Sequence, residues 1–483
     1  MGVLDGRKPE KVWEFFEEIC EIPHGSGNED KISDYLVGFA NERGLKSYQD
    51  ESKNVIIWCD GSKGYEKSEP VIIQGHIDMV AVKEDGVGKD LTKEGVEPEI
   101  IDDDILTAKG TTLGADDGIA VAYVLALMDS DDIPHPPIEA VFTTNEETGM
   151  FGAMALDKSK LSGKTLLNID SEDEGRFVVS CTGGATTTCI LPGNTEPISG
   201  EVLEIRIDGL TGGHSGTSII KERLNANVAL GRILLNVFQE VGMRIVAVNG
   251  GEKENSIAAW SEAAIVLLPE TLPKAKKIVE DVFEEIKKEY ATTDPDMKLK
   301  TNVIPENLVE ALTDASTLAT IISMVNMPDG IQRMNPEVKG LVQTSLNMGI
   351  LRTEAEGVKM SFMVRSSNAN EKQFLIEKLT SLTEIFGGVV NTDADCPGWE
   401  YQEDSEIRKL MVEKYKEQYG KEPTVEGIHA GLECGIFVDA IPGLDAIAFG
   451  PQIDYAHTPK EQIDIKSAER TWKLLCSVLE EMK

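Results

Sequence analysis

The sequence predicts an α/β protein in which one domain, with a mixed central sheet flanked by helices, is interrupted by an inserted α+β domain. Up to about residue 186, short apolar runs alternate with amphipathic segments, as strands and helices do in an α/β layer. From about residue 187 to residue 396, strand-like segments alternate apolar and polar residues, which indicates a sheet with one face in solvent. The first pattern returns after residue 396.

The first part of the chain contains apolar runs that are typical of buried strands. Val12, Phe15, Phe16 and Ile19 recur at helical spacing, so residues 9–21 are predicted to form an amphipathic helix. Further elements are predicted at 32–39 (helix), 55–59 and 71–74 (strands), 118–128 (helix), and 138–143 and 165–169 (strands).

The middle and last parts of the chain differ in their periodicity. The segments EVLEIRID (201–208) and MSFMVR (360–365) alternate apolar and polar residues and are predicted strands. We therefore expect one discontinuous domain, residues 1–186 and 397–483, and an inserted domain, residues 187–396. The other predicted elements are helices at 221–239, 273–290, 371–385, 405–419 and 466–481, and a strand at 447–450.

The composition excludes several classes of partner. The chain has 483 residues, with 84 acidic and 47 basic side chains and a formal net charge of −37. Nucleic acids and anionic membranes attract positively charged surfaces, so neither is expected to bind. The longest apolar run, 119–128, is too short for a membrane span of about 20 residues, and no secretory signal is visible. Seven scattered cysteines without a CxxC motif argue against a disulfide framework, so we expect a soluble cytoplasmic protein.

Acidic and histidine residues follow the predicted strands or start the predicted helix of the first domain. In GHID (75–78), His76 and Asp78 end an apolar strand on one side of it, where a carboxylate can fix the tautomer of a metal-binding imidazole. In LGADDG (113–118), Asp116 lies at the first turn of an apolar helix, where carboxylates are favoured. Each motif alone is equally compatible with a solvated strand end or an ordinary helix cap.

Two adjacent glutamates, a further aspartate and a late histidine extend this series. In TTNEETG, Glu146 and Glu147 point in different directions, so one could bind a metal while the other acts as acid or base. Taken alone, this glutamate pair is more simply interpreted as a solvated turn. Asp170 closes the strand at 165–169, and His457 lies on a loop, where a surface role is the plainer interpretation of a single histidine. Together, these nitrogen and oxygen donors beyond strand ends suit zinc, cobalt or manganese, and their number fits two metals better than one.

The ordered motifs resemble those of the M20 family of dinuclear metallopeptidases. GHIDMV, LGADDG, NEETG, NIDSED and AHTP occur in the family's order, and the resemblance extends to GGHSG (212–216), RSS (365–367) and HAGLECG (429–435). Within the family, the chain is most similar to the aminoacyl-histidine dipeptidases, the Xaa-His dipeptidases of the peptidase D type. The resemblance implies a zinc-peptidase-like catalytic domain with an inserted lid domain.

The resemblance also implies a ligand set for two divalent metal ions. His76, Asp116 and Asp170 resemble the ligands of one metal, and Asp116, Glu147 and His457 resemble those of the other. Asp116 would bridge the two ions, and the peptide bond that follows it would be cis. Zinc is the expected metal, with cobalt and manganese as alternatives.

Catalytic and substrate-binding roles are implied in the same way. Glu146 resembles the general base, and Asp78 resembles the carboxylate that orients the first histidine ligand. His214 resembles a lid histidine that reaches the substrate carbonyl oxygen, and Arg365 resembles the arginine that binds the terminal carboxylate. Asn255, in the segment NSIA, resembles a lid asparagine, although the family segment reads differently.

The expected activity is hydrolysis of unblocked dipeptides, Xaa-His and others, by a water that bridges two metals. An N-acyl amino acid deacylase of the same superfamily is the alternative, and it would differ in the substrate pocket. A non-catalytic metal-binding protein would lack a ligand or the base, and none is missing. The sequence leaves open whether His429 and Glu433 contact the substrate or shape their loop. We further expect a homodimer.

Overall fold

Contacts between Cα atoms divide the protein into two units. The structure, a computed structural model, describes residues 2–305 and 308–483. Unit 1 comprises Met1–Cys181, Tyr401–Gly427 and Leu432–Lys483, and unit 2 comprises Thr182–Glu400 and Ile428–Gly431. Residues 428–431 thus belong to unit 2, although the residues on both sides of them belong to unit 1. The sequence pattern does not indicate this, because the assignment depends on a contact with a distant segment, the hydrogen bond from Thr182 N to Ala430 O.

The helices and strands are numbered in chain order over the described residues. The helices are α1 (Glu10–Glu21), α2 (Asp30–Glu42), α3 (Ala115–Met128), α4 (Phe151–Ala155), α5 (Ala226–Val241), α6 (Leu272–Glu289), α7 (Asp314–Asn326), α8 (Ala369–Ile385), α9 (Glu406–Tyr419), α10 (Glu433–Ala440) and α11 (Ile465–Glu481). The strands are β1 (Lys46–Gln49), β2 (Val55–Cys59), β3 (Val71–His76), β4 (Pro98–Ile101), β5 (Ile105–Ala108), β6 (Ile138–Thr143), β7 (Thr165–Asn168), β8 (Arg176–Cys181), β9 (Gly183–Pro192), β10 (Thr195–Ile198), β11 (Glu201–Asp208), β12 (Gly213–His214), β13 (Arg244–Gly250), β14 (Ser256–Ile257), β15 (Ser261–Leu267), β16 (Lys298–Ile304), β17 (Val309–Leu312), β18 (Gly330–Met334), β19 (Val342–Glu354), β20 (Gly357–Ser366), β21 (Val389–Cys396), β22 (Thr424–Ile428), β23 (Asp445–Ala448), β24 (Ile453–Asp454) and β25 (Gln462–Asp464). Among the helices of the described residues, none is both long enough and apolar enough to span a membrane.

Unit 1 is built on a mixed sheet of eight strands in the order β1-β2-β6-β3-β7-β23-β8-β22. The central strands β6, β3, β7 and β23 run parallel, and β3 and β6 are buried along their whole length. Every residue of α3 is buried, because this helix packs against both β3 and α1. A parallel sheet covered by helices explains why its strands are continuous apolar runs in the sequence.

The parallel strands β3, β6 and β7 end side by side at one edge of the sheet. His76 pairs with Thr143 of β6, and Gln74 pairs with Asn168 of β7. The carboxyl ends of these strands therefore meet, and this edge is where open α/β sheets bind ligands.

Unit 2 contains an antiparallel sheet in the order β16-β11-β15-β13-β19-β20-β9-β21, with β18 paired to β19. Along β11, Leu203, Ile205 and Ile207 are buried in a core that also contains side chains of α5, α6, α7 and α8. The alternate residues Glu204 and Arg206 are only partly buried. This alternation confirms the α+β character expected for the inserted segment.

Most predicted elements coincide with observed ones, and the fold class is confirmed. The helix predicted at 221–239 is an exception, because it begins only at Ala226. The Asn225 side chain accepts a hydrogen bond from Asn227 N and caps the helix there, and Ile219–Lys221 forms a separate 3₁₀ turn. The strand expected at 447–450 lies two residues earlier, at Asp445–Ala448.

Candidate active site

Five of the predicted side chains converge where the parallel strands of unit 1 end. His76 Nε2 lies 3.1 Å from Asp116 Oδ1 and 3.8 Å from Asp170 Oδ1. His457 Nε2 lies 3.1 Å from Asp116 Oδ2 and 2.8 Å from Glu147 Oε1. The two oxygens of Asp116 therefore face different histidines, and this carboxylate is common to both groups.

The segment that carries Asp116 has an unusual backbone. The peptide bond between Asp116 and Asp117 is cis, as the resemblance implies, and Asp116 has non-helical φ and ψ angles of −86° and 102°. Asp117 Oδ2 accepts a hydrogen bond from His76 N at 3.2 Å, so the two adjacent aspartates serve different purposes. A Cβ atom at residue 75 would lie 2.5 Å from that oxygen, which explains the glycine at this position.

The tautomer of His76 is set by its backbone neighbour. Its Nδ1 lies 2.9 Å from Asp78 O and donates to that carbonyl, so the lone pair of Nε2 faces the carboxylates. Burial opposes a charged ring, but hydrogen bonds to Asp116 and Asp78 and the charge of Asp170 raise the pKa of His76 well above its usual range. In the absence of metal, the carboxylates therefore favour a proton on this ring.

The Asp78 carboxylate mainly supports the turn that carries the two glutamates. It accepts hydrogen bonds from Glu146 N at 3.0 Å, from Glu147 N at 3.3 Å and from Ser26 Oγ at 2.8 Å. Its distance to His76 Nδ1 is longer, 3.6 Å. Asp78 thus holds the glutamate turn against the end of β3 in addition to lying beside the histidine.

The two glutamates differ in their surroundings. Glu147 faces His457, whereas Glu146 has no ion-pair partner among the described residues. Burial raises the pKa of Glu146 to about 7, and the charges of Glu147, Asp116 and Asp78 act in the same direction while His76 opposes them. A carboxylate with a pKa near neutrality is suited to taking up and returning a proton.

The donor atoms fit divalent metal ions. Ligand atoms of His76, Asp116 and Asp170 lie within 4.8 Å of one another, and so do those of Asp116, Glu147 and His457. Hydrogen bonds to Asp116 and Glu147 raise the pKa of His457 to about 11. The carboxylates of the second set, Asp116 and Glu147, therefore attract positive charge as those of the first set do. Imidazole nitrogens that face carboxylate oxygens form the mixed donor set of zinc, cobalt and manganese sites.

Unit 2 contains two predicted substrate-binding residues that lie close together. His214 Nδ1 accepts hydrogen bonds from the amides of Gly216 and Thr217, each at 3.2 Å, so the proton of the neutral ring is on Nε2. Burial and the charge of Arg365 lower the pKa of His214, which favours this neutral form. Its Nε2 lies 3.5 Å from Arg365 Nη2, so two N–H donors lie side by side.

Arg365 is a buried cation without a counter-charge. Its exposed fraction is 8%, its Nε has no hydrogen-bond partner among the described residues, and it takes part in none of the ion pairs found there. A desolvated guanidinium is costly unless an anion meets it, and its planar donors match a carboxylate. The arrangement therefore favours an anionic ligand at Arg365.

Asn255 and His429 have different positions in unit 2. Asn255 is exposed, and its backbone oxygen accepts a hydrogen bond from Ser215 N at 2.8 Å, next to the strand that carries His214. His429 uses both ring nitrogens within unit 2, because Nδ1 donates to Val342 O at 2.8 Å and Nε2 accepts from Ser345 Oγ at 2.6 Å. Burial and the charge of Arg365 lower the pKa of His429 to about 3. His429 therefore shapes its loop.

Comparison with known proteins decides the family. The model of peptidase family M20/M25/M40 matches residues 72–481. The chain belongs to this family. The cytosol non-specific dipeptidase of Escherichia coli K12 is 34% identical over 485 residues, which cover 100% of this chain and 99% of that protein.

Solved structures agree with the family assignment. The aminoacylhistidine dipeptidase of Vibrio alginolyticus superposes on this M20 peptidase with a TM-score of 0.91 and 34% identity, covering 99% of this chain and 97% of that one. A tripeptidase of Staphylococcus aureus has a TM-score of 0.56 and 17% identity, covering 99% of both chains, and shows the shared fold alone.

A buried polar layer beneath the strand ends of this peptidase was not expected from the sequence. Gln74 Nε2 and Thr143 Oγ1 both donate to Glu433 Oε2 at 2.6 Å, and Asn168 Nδ2 donates to Gln74 Oε1 at 2.6 Å. Gln74 and Asn168 precede His76 and Asp170 by two residues, so strand alternation could have indicated them. No local signal could have indicated Glu433, which is 359 residues from Gln74 in the chain.

Proposed function

We propose that this M20 peptidase is a metal-dependent dipeptidase that hydrolyses unblocked dipeptides, Xaa-His and others. The proposal depends above all on the two donor groups that share Asp116, with Glu146 beside them and outside the histidine ion pairs. The names of the two relatives with 34% identity, one a non-specific dipeptidase and one an aminoacylhistidine dipeptidase, support the substrate class.

The two metal ions would be held by the histidine and carboxylate groups of unit 1. His76, Asp116 and Asp170 would bind one ion, and Asp116, Glu147 and His457 the other. Bound divalent cations would lower the pKa of a water from about 15.7 toward 7 and polarise the scissile carbonyl. Zinc is the proposed metal, because two imidazoles and three carboxylates suit it, with cobalt and manganese as alternatives.

Glu146 would move the proton. In its ionised form it accepts the proton of the attacking water, and in its protonated form it delivers that proton to the departing amine. Its pKa of about 7 allows both steps near neutral pH. Asp78 would keep Glu146 in place through the backbone amide that it accepts at 3.0 Å.

The residues of unit 2 would bind the carbonyl oxygen and the terminal carboxylate of the substrate. The Nε2–H of His214 would donate to the carbonyl oxygen as it gains negative charge, a large electrostatic contribution in acyl transfer. Arg365 would bind the terminal carboxylate, since it is a buried cation that lacks a counter-charge. Asn255 would add a polar contact from its exposed turn next to His214.

Cellular location and assembly are part of the proposal. We place the protein in the cytoplasm, by analogy with the cytosol dipeptidase of Escherichia coli. We also expect a homodimer, which sedimentation velocity would distinguish from a monomer. Neither expectation bears on the chemistry assigned to unit 1.

The test is hydrolysis by metal-stripped protein before and after addition of Zn²⁺, Co²⁺ or Mn²⁺. Gly-His, β-Ala-His and other free dipeptides would be compared with N-acetyl and N-succinyl amino acids. We expect metal-restored cleavage of the free dipeptides only. Cleavage of the acylated compounds only would instead make the protein a deacylase, and activity that survives complete metal removal would contradict the metal-dependent mechanism.

A further inference from the structure

A buried carboxylate caps the chain segment that leads to Asp116. Glu461 is 2% exposed. Its Oε2 accepts hydrogen bonds from Leu113 N at 2.8 Å and Gly114 N at 3.0 Å, and its Oε1 accepts from Ala115 N at 2.7 Å and Asp116 N at 3.3 Å. Four consecutive backbone amides therefore converge on one side chain.

Among the described residues, Glu461 is the acceptor found for these amides. They lie at the start of α3, where the first amides of a helix lack acceptors within the helix. Gly114, the residue before α3, has a left-handed backbone (φ 75°) and no side chain that could cap the helix. Water cannot replace such a cap, because α3 is buried along its whole length. A carboxylate at a buried helix N-terminus satisfies the amides and is itself favoured by the helix dipole. Here it comes from a residue 345 positions after Asp116.

The same side chain belongs to the loop that carries the late histidine. Glu461 follows His457 by four residues, and Glu461 N donates to Thr458 O at 3.0 Å, which closes the loop into a tight turn. The strands on either side of this loop, β24 and β25, pair with each other, and β25 also pairs with β5. Glu461 is thus a direct link between the segments that present Asp116 and His457.

We propose that Glu461 is a positioning residue for the metal centre, which fixes Asp116 and His457 relative to each other. This inference rests on the proposed function, because it takes these two residues as metal ligands. Asp116, Glu147 and His457 form the donor group that depends on both linked segments. The group of His76, Asp116 and Asp170 depends on only one of them, so loss of Glu461 should weaken the first group more than the second.

Unit 1 also offers a matched control. Glu139 on β6 is 4% exposed and accepts hydrogen bonds from Ser162 N, Gly163 N and Ser162 Oγ at 2.7–3.0 Å. It is the second residue of β6, at the strand end opposite the one that leads to the candidate site. Glu139→Gln therefore changes a buried carboxylate that accepts hydrogen bonds from backbone amides, and none of these amides lies next to a proposed metal ligand.

The experiment compares wild type, Glu461→Gln and Glu139→Gln as full-length, metal-stripped proteins. In Glu461→Gln an amide NH₂ replaces one oxygen and faces backbone donors, so the cap is broken while the side-chain shape is kept. Titration calorimetry with Co²⁺ would give the stoichiometry and Kd of each ion, and the visible spectrum of the Co²⁺-loaded protein would report the coordination geometry. Thermal unfolding of the metal-free proteins would measure the general cost of each substitution.

We expect Glu461→Gln to raise the Kd of one of the two ions at least tenfold, to change the Kd of the other less, and to change the Co²⁺ spectrum. Glu139→Gln should change either Kd less than threefold and leave the spectrum unchanged, even if both variants lose similar thermal stability. Two ions bound by Glu461→Gln with wild-type Kd values and spectrum would overturn the inference. If this variant does not fold, Glu461→Asp, which keeps the charge but shortens the reach, takes its place under the same criteria. A wild type that binds no metal would contradict the proposed function instead.

Discussion

At the scale of single residues, the site separates two glutamates that are adjacent in the chain. Glu147 faces His457 at 2.8 Å, while Asp78 accepts a hydrogen bond from the backbone amide of Glu146. One side chain can therefore be committed to a metal while the other stays free to exchange a proton. The different directions of neighbouring side chains could suggest this division, but only the resemblance to the M20 family implied which glutamate meets the histidine.

Replacement of Glu146 by Gln tests its role as the base. The amide keeps the size of the side chain but cannot accept the proton, so we expect kcat to fall at least about 100-fold. Metal stoichiometry, measured by atomic absorption after dialysis, should remain two ions per chain. Glu147→Gln is the matched variant and should lose metal as well as activity. Unchanged kcat in Glu146→Gln would disprove the assignment of the base.

Metal binding should release protons because the histidines of the metal-free site hold them. Hydrogen bonds to Asp116 and Glu147 raise the pKa of His457 to about 11, and the pKa of His76 is also raised, so both rings favour a proton when no metal is bound. Each ion must displace a proton, and the apparent Kd should therefore fall about tenfold per pH unit between pH 6 and 8. Calorimetry in buffers of different ionisation enthalpy would count the protons. A Kd that does not depend on pH would contradict this description of the site.

At the scale of the elements, local sequence patterns predicted the strands and helices but not the contacts between distant segments. Apolar runs identified β2 and β6 with their observed bounds, since burial of a strand on both faces is visible in its composition. The partners of Glu433 and Glu461 were not predictable, because each reaches amides or side chains at least 290 residues away in the chain. Such contacts follow from tertiary packing, which leaves no periodicity in the sequence.

Glu433 lies in the buried polar layer beneath β3, β6 and β7, so the effect of replacing it on the free energy of unfolding depends on which residue replaces it. Burial raises its pKa to about 8, and the charge of Glu146 adds to this, so the side chain is protonated at neutral pH. Glu433→Gln reproduces a neutral side chain that accepts from Gln74 and Thr143, and we expect it to change the free energy of unfolding by less than ~1 kcal/mol at pH 6. Glu433→Ala removes the acceptor that the two buried donors share and should cost ~2–4 kcal/mol. Urea unfolding of metal-free protein measures both.

The pH dependence of these variants follows from the same pKa. A carboxyl whose pKa is raised in the folded state keeps its proton on folding, whereas the unfolded chain releases it near pH 4.5. The contribution of Glu433 to stability is therefore full below about pH 4.5 and is lost as the pH rises toward 8. Metal-free Glu433→Gln lacks this group, so its stability relative to wild type should increase from pH 5 to pH 8. A constant difference over that range would show that Glu433 does not hold a proton in the folded state.

At the scale of the whole molecule, the dominant feature is a formal net charge of −37 over 483 residues. Many of the ion pairs found in the described chain have exposed partners and contribute little each. The excess of acidic groups therefore acts mainly as repulsion within the folded protein, and part of it lies at the candidate site, where several carboxylates are buried together. Bound divalent cations would reduce that local repulsion, which ties the stability of the molecule to its metal content.

Screening by salt should consequently stabilise the protein, and most strongly when metal is removed. The Debye length falls from about 30 Å at 0.01 M salt to less than about 8 Å above 0.15 M, so repulsion between distant carboxylates disappears over that range. We expect the Tm of metal-stripped protein to rise by several degrees between 0.01 M and 0.3 M NaCl, and that of metal-loaded protein to rise less, because part of the charge is already neutralised. Scanning calorimetry with KCl in place of NaCl provides the control, since an effect of ionic strength alone is the same for both salts. A Tm that falls with added salt would mean that attractive ion pairs outweigh the net repulsion.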